Sequence, residues 1–271
     1  MDYACNYFEQ KNIKDIGYTE LEDFLYSLPE KLSGKTKHNI LATLHSFFAW
    51  TIKREGQKGF AIPAFPQVKY ELGYRQLIDL DTQARIIDEV KHISSFNSRI
   101  WFGVYLLSRY TELRPGDLLN LKEKHMVLGQ GILTIPHPKD ACYKVVPLMD
   151  EDVALFKGFP TGFPELHFFR HLGGVKGTRP GQPFGSKYLW VWWKRACANL
   201  GIEGVDLYGG TRHSTTSALG DLLTPEEIKI ITGHTTNAAF ERYFQRSRKD
   251  IRELRERAFG AREKRKVDSS P

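Results

Sequence analysis

Five residues, scattered over more than a hundred positions, have types and spacing that could do chemistry together: Arg114, Lys139, Arg212, His234 and Tyr243. Arg114 lies in Thr111-Glu112-Leu113-Arg114-Pro115-Gly116-Asp117. Lys139 stands eight residues before Pro147 in the run Lys144-Val145-Val146-Pro147-Leu148. Arg212 and His213 follow Thr211, and Thr232-Gly233-His234 is followed nine residues later by Tyr243. Such groups suit attack on a phosphodiester. Two arginines can clamp the non-bridging oxygens with paired N–H donors and stabilise a pentacoordinate transition state. A lysine can protonate a leaving 5′ oxygen, and a tyrosine can be the nucleophile that stores the bond energy as a phosphotyrosine. Taken singly, each residue has an ordinary reading. Arg114 could cap a helix, Lys139 could be a solvated loop lysine, and Tyr243 could be a core aromatic beside Phe240 and Phe244.

Other chemistries find less support. The run Gly173-Gly174-Val175-Lys176-Gly177-Thr178 is glycine-rich but is not the phosphate-binding GxxxxGK[ST] after a strand, so it reads as a loop. His167 and His171 are four apart without an evident third metal ligand. No tight carboxylate cluster suggests a two-metal nuclease.

The elements that must position these residues follow from hydrophobic period. A short helix is expected from Thr19 to about Ser27, ended by Pro29. A longer one follows Ser33, with Ile40, Leu41, Leu44, Phe47, Phe48 and Ile52 on one face. Lys35, Lys37, His38, His45, Lys53 and Arg54 lie on its other face and are candidate DNA contacts. Residues 56–76 hold Gly56, Gly59, Pro63, Pro66 and Gly73 and break the period. Helical patterns resume at Thr82–Ile93, Arg99–Tyr110 and from Pro115, a good first-turn residue. Gly131–Ile135 and Tyr143–Pro147 read as the two strands of a hairpin. Helices are expected near 150–157, 186–200, 211–223, 225–231 and 237–244. The pattern is α+β, mostly helical, with a small antiparallel sheet.

Composition narrows the class. The 271 residues suffice for one large or two modest domains with a packed core. Three cysteines, Cys5, Cys142 and Cys197, form no disulfide framework, which points to a reducing, cytoplasmic setting. There is no apolar run of membrane-spanning length and no signal pattern, so no membrane partner is expected. The net charge is +7, of which +5 falls within Arg246 to Pro271. A basic tail fits a polyanion partner.

In order and spacing these boxes resemble the tyrosine recombinases, also called phage-type integrases. Arg114 stands at the first arginine of the family's T-x-L-R-x-x-E/D pattern, with Asp117 at the supporting acidic position. Lys139 is similar in place to the β-hairpin lysine before a (K/R)-x-V-P-L strand. Arg212 stands at the second arginine, followed by the usual His213. His234 falls at the L-G-H position and Tyr243 at the nucleophile. Ser33 through Trp50 resembles the long helix of the family's DNA-clamping domain. The resemblance implies a helical core-binding domain over 1–57, short or truncated, a linker over 58–76, a catalytic domain over 77–245 and a basic tail over 246–271. It implies a C-shaped clamp on double-stranded DNA and a homo-tetramer on paired sites. It also implies cleavage and rejoining through a 3′-phosphotyrosine, with no metal or nucleotide cofactor. The protein would then be cytoplasmic and DNA-associated. An accessory DNA-bending protein is a further candidate partner. In the tail, Ile251, Leu254 and Ala258 would form one face of a helix that packs on a neighbouring protomer.

One departure bears on activity. The family carries a histidine three residues before the second arginine, and this chain has Gly209 there. Tyr208, one residue out of register, is a candidate hydroxyl, and His234 would carry more of the load. Gly209 keeps a second reading open: a catalytically weak or inactive relative that binds DNA in an architectural or regulatory role. A relaxing topoisomerase shares the chemistry but would need no pairing of protomers. Restoring a histidine at 209 is the natural test of the departure.

Overall fold

The structure, a computed structural model, describes residues 2–55, 61–71, 73, 75–136, 144–173, 177–220 and 222–233. The chain divides into two compact units, Met1–Tyr74 and Arg75–Pro271.

The first unit is helical. It contains α1 (Asp2–Phe8), α2 (Tyr18–Ser27) and the long α3 (Gly34–Glu55). The backbone N–H of Gly17 donates to the Glu20 carboxylate and fixes the start of α2. Leu21, Phe24, Leu28, Leu41, Leu44 and Phe48 form the buried centre, at i, i+3, i+7 spacing along α2 and its C-cap and again along α3. The expected apolar face of α3 is narrower than its sequence suggests. Phe47 is exposed and stacks on exposed Trp50 with ring centroids 6.0 Å apart. Residues 61–71 carry no regular secondary structure, yet Phe65 and Val68 pack against this core.

The second unit begins with α4 (Leu80–Ile93), whose N-cap Asp79 accepts from Thr82 N at 2.6 Å. It continues through α5 (Arg99–Arg109) and the short α6 (Pro115–Leu119). The expected hairpin is present as β2 (Ile132–Ile135) and β3 (Lys144–Pro147). A third strand absent from the sequence reading, β1 (Met126–Val127), pairs antiparallel with β2, giving the order β1-β2-β3. Leu133 pairs with Val146 and Ile135 with Lys144. Because successive side chains alternate in direction, buried Val146 and Lys144 share a face of β3.

After the sheet come α7 (Asp150–Lys157) and α8 (Tyr188–Asn199). The helix expected over 211–223 is divided. Gly209–His213 forms a π-helical turn and α9 covers only Ser214–Leu219, while the helix expected near 225–231 is present as α10 (Pro225–Thr232). The helix expected over 237–244 lies outside the described residues. Ile86, Val90, Phe102, Leu106, Leu113, Leu118, Phe168, Phe169, Leu189 and Trp193 are at the heart of the core. Buried Asp152 ties α7 to α5 by accepting from Tyr105 Oη at 2.8 Å, Arg109 Nε at 2.7 Å and Tyr110 Oη at 2.5 Å. Burial, followed by the bond to Asp152, pushes both tyrosine hydroxyls up to about 12. Among the described residues no helix is long and apolar enough to cross a membrane.

Candidate active site

Arg114 is placed by a short local device. The chain leaves α5, turns at Tyr110–Leu113, and enters α6 with Arg114 as N-cap in an extended conformation. Pro115 supplies the first helical residue, where a missing N–H costs nothing. The Asp117 carboxylate accepts from Arg114 N at 3.4 Å, and Leu113 is fully buried. The side chains on either side of Arg114 are therefore fixed while the arginine itself stays half-buried.

Arg212 is placed by contacts from far away. The π-helical turn that carries it widens the backbone and frees carbonyls from the usual i→i−4 ladder. Those carbonyls find other donors. Gln83 Nε2, from α4, donates to Gly210 O at 2.7 Å and to Thr211 O at 3.3 Å. Ser214 Oγ donates to Gly209 O at 2.7 Å and accepts from Ile78 N at 3.0 Å. Arg212 is buried, and its Nη2 donates to Thr232 O, the last residue of α10, at 3.3 Å.

The two arginine turns meet at Lys144. Its Nζ donates to Glu112 O at 2.6 Å, in the turn just before Arg114. The Lys144 ammonium is held below its usual range by burial, with Glu112 and Asp117 opposing that shift and Arg212 and Arg114 adding to it. Burial raises the Glu112 carboxyl, while its own backbone, Lys144 and Arg212 pull it back. Three cations and two carboxylates thus share one neighbourhood. Gly233, the C-cap of α10, has φ +66° and closes this corner. A Cβ there would sit 3.6 Å from Lys144 Nζ and 3.7 Å from Glu112 Cβ. Residue 234 follows directly.

His213 and Gly209 form a second cluster. His213 is buried, and its imidazole is pushed down to about 4, first by burial and then by Arg75 and Arg212, with Asp206 opposing. The Tyr208 ring meets it edge-on, 6.1 Å between centroids, and the Arg75 guanidinium lies 5.3 Å from the Tyr208 ring centre. Arg75 is ion-paired with Asp206, which also accepts from Gly209 N at 2.6 Å. The space beside Gly209 is taken. A Cβ there would stand 2.6 Å from Gln76 O and 3.2 Å from Asp206 Oδ1. A histidine at 209 therefore has no room in this fold, so the substitution that the sequence suggests as a test would displace the 75–76 backbone.

Of the residues singled out in the sequence, Arg114, Arg212 and Asp117 all act on the Lys144 ammonium. His213 lies beside Arg75, Arg212 and Asp206. Lys139, His234, Tyr243 and the tail lie outside the described residues. In the first unit Lys35 Nζ donates to Tyr70 Oη at 2.9 Å, His38 packs on the Tyr70 ring and His45 on Phe65. Lys37 is half-buried, whereas Lys53 and Arg54 are exposed, with Arg54 lying over Trp50. His171 packs edge-on against Phe184 and Tyr188, and the His167 carbonyl accepts from Arg170. Among the described residues no three His, Cys, Asp or Glu side chains come together as a metal cluster. Sequence reasoning passed over Lys144, Glu112, Gln83 and Arg75. The alternation of β3 was the available signal for Lys144, because it puts a lysine on the same face as a core valine.

No protein-family model matches the chain, and no curated protein matches it. Solved structures do. The chain is similar to the Tn1549 transposon integrase in complex with transposon right end DNA, with 13% identity and a TM-score of 0.66 over 95% of this chain and 91% of that one. It is similar to the XerH site-specific recombinase bound to a palindromic difH substrate, with 19% identity and a TM-score of 0.64 over 93% and 74%. A lambda integrase tetramer bound to a Holliday junction gives 17% identity and a TM-score of 0.57 over 85% and 65%. The chain has the tyrosine recombinase fold: mostly helical, with a small antiparallel sheet beside the arginine turns.

Proposed function

We propose that this chain is a site-specific DNA recombinase that cuts and rejoins DNA through a 3′-phosphotyrosine. The observation that carries the reading is the meeting of the Arg114 turn and the Arg212 turn at Lys144, on a fold shared with DNA-bound integrases. In this reading Arg114 and Arg212 donate to the non-bridging oxygens of one backbone phosphate. Tyr243 Oη passes its proton to His234 and attacks phosphorus, the P–O5′ bond breaks, and Lys139 gives its proton to the departing 5′ oxygen. His234 orients the phosphate, and Asp117 and His213 support the arginines from behind. Attack by a 5′ hydroxyl of a second strand reverses the step and releases Tyr243. The bond energy is kept in the phosphotyrosine, so the cycle has no need of a nucleotide or metal cofactor. The lambda integrase neighbour is a tetramer on a Holliday junction. By analogy this chain assembles as a tetramer on two duplexes, with the basic tail between protomers. Exposed Lys53 and Arg54 of the first unit are the strongest DNA-contact candidates among the α3 residues.

A second reading is favoured by Gly209. The backbone at Gln76 fills the space where a proton-accepting side chain would stand, which supports a catalytically weak or inactive DNA-binding relative. One experiment separates the two. The protein is mixed with fragmented DNA from its own source, stopped with SDS, and compared with Tyr243→Phe. Protease-sensitive protein–DNA adducts from the native chain alone are the expected result, and the trapped fragments give the site. Adducts from both variants would overturn Tyr243 as nucleophile. No adduct from either, with DNA binding intact, would favour the binding relative.

A further inference from the structure

We propose that Lys144 is a positioning residue that locks the Arg114 turn to the end of β3 and to the Gly233 corner, and so sets the spacing of the two arginines on the reacting phosphate. The inference rests on the recombinase reading and adds to it a residue outside the expected catalytic set.

The argument is one of geometry and desolvation. Lys144 opens β3 and faces the same side as buried Val146. A lysine so placed loses hydration, and an ammonium that loses hydration needs acceptors and counter-charges. It has both in Glu112: the carbonyl at 2.6 Å and the nearby carboxylate, with Asp117 as a second counter-charge. The Glu112 carbonyl is two residues before Arg114, so the bond acts on the turn and not on the arginine side chain. The same Nζ lies 3.6 Å from the position of a Cβ on Gly233, which brings in the segment that follows Thr232. Thr232 is in turn the acceptor for Arg212. One ammonium therefore sits where the Arg114 turn, the strand end and the Arg212 acceptor meet. Its N–H toward Glu112 O is committed to structure, which separates its task from proton delivery to the leaving oxygen, the task assigned to Lys139. Without the ammonium the 111–114 turn loses the bond that ties Glu112 O to β3. Arg114 then drifts relative to Arg212. Misplacement by about 1 Å costs on the order of 10²-fold in rate.

The test uses Lys144→Met, with Lys144→Gln as a second variant should the first not fold. Both are compared with the native chain, Lys139→Ala and Tyr243→Phe. The substrate is the DNA site recovered from the adduct experiment, made with either a normal 5′ bridging oxygen or a 5′ bridging sulfur. Sulfur leaves without a proton, so it restores a variant that lacks its acid and does not restore one whose arginine is misplaced. The expected result is a fall of roughly 10²-fold in cleavage rate at saturating DNA. DNA affinity stays near native, the thermal midpoint falls only slightly, and sulfur restores Lys139→Ala but not Lys144→Met. Hydrogen exchange at the backbone amides of 111–114 is expected to speed up in the lysine variants. Restoration of Lys144→Met by sulfur would overturn the proposal by making Lys144 the acid. Native cleavage rates, or native protection of 111–114, would also overturn it. If the native chain forms no adduct, the recombinase reading fails by itself, and exchange at 111–114 still decides the role of Lys144.

Discussion

Arg114 and Arg212 are expected to do the same work, yet they reach the site from turns built in opposite ways. The Arg114 turn is made of neighbours in sequence: a buried Leu113, a proline at the next position and an acidic residue three positions on. The Arg212 turn is a π-helical widening whose carbonyls depend on Gln83, 127 residues away, and on Ser214 and Ile78. A cap made from adjacent residues tolerates change one residue at a time. A widened turn held from another helix is a cooperative device, in which any missing partner leaves a buried polar group exposed to no solvent.

The largest effect that tests this contrast is kinetic. Arg114→Ala and Arg212→Ala should each lower adduct formation by about 10²–10³-fold. Only Arg212→Ala, which removes the buried donor to Thr232 O, should also lower the thermal midpoint. Equal loss of stability in both would break the comparison. The next effect uses one glycine from each turn. A Cβ at Gly209 meets Gln76 O at 2.6 Å, whereas one at Gly116 meets nothing within 4 Å. Gly209→Ala should cost about 2 kcal/mol by overpacking. Gly116→Ala should gain about 0.5 kcal/mol through the unfolded chain. Denaturant melts of the pair give the sign directly, and a neutral Gly209→Ala would mean that the 75–76 backbone yields.

Much of the Arg114 turn was legible, and the reason is its locality. Pro115, Asp117 and the leucine pattern behind them are signals within one helical turn. The helix start at Pro115 was readable for the same reason, whereas α4, expected from Thr82, begins at Leu80 behind its cap Asp79. The Arg212 turn was not legible, since nothing near Gly209-Gly210 announces that Gln83 of α4 will meet it. A continuous helix over 211–223 is the natural reading of a periodic stretch, and only the distant amide makes the wider turn stable. Lys144 falls between these cases. The strand period contained the information, but a lysine near a loop is ordinarily read as solvated.

Smaller tests sharpen the same contrast. Gln83→Ala strands buried carbonyls and should cost about 1.5 kcal/mol. Asp117→Ala removes a long bond to Arg114 N, of 3.4 Å, and one counter-charge of Lys144, and should cost less than Gln83→Ala, about 0.5–1 kcal/mol. Chemical melts of the two variants side by side check the order. A pH dependence closes the series. The buried His213 imidazole stays neutral down to about pH 4, while in the unfolded chain it takes up a proton near its ordinary 6.5. Between those values the unfolded state binds more protons, so this contribution to stability is full above about 6.5 and falls as pH drops toward 4. Thermal midpoints across that window should rise with pH in the native chain and rise less steeply in His213→Asn. An unchanged slope would place the titrating group elsewhere.

The strand that carries Lys144 has a consequence for solubility. Among the described residues β3 is an outer strand of the sheet, with Val145 45% exposed and Pro147 at its end. An outer strand offers its unpaired backbone to any other extended chain, and the usual defences are a proline, which cannot donate, and a charge turned inward. β3 has both. A neighbouring molecule that tried to extend the sheet would have to pair with a strand closed at one end by Pro147. At the other end it would have to bury the Lys144 ammonium further. The residue that spaces the arginines thereby also places an inward charge at one end of this outer strand, against self-association.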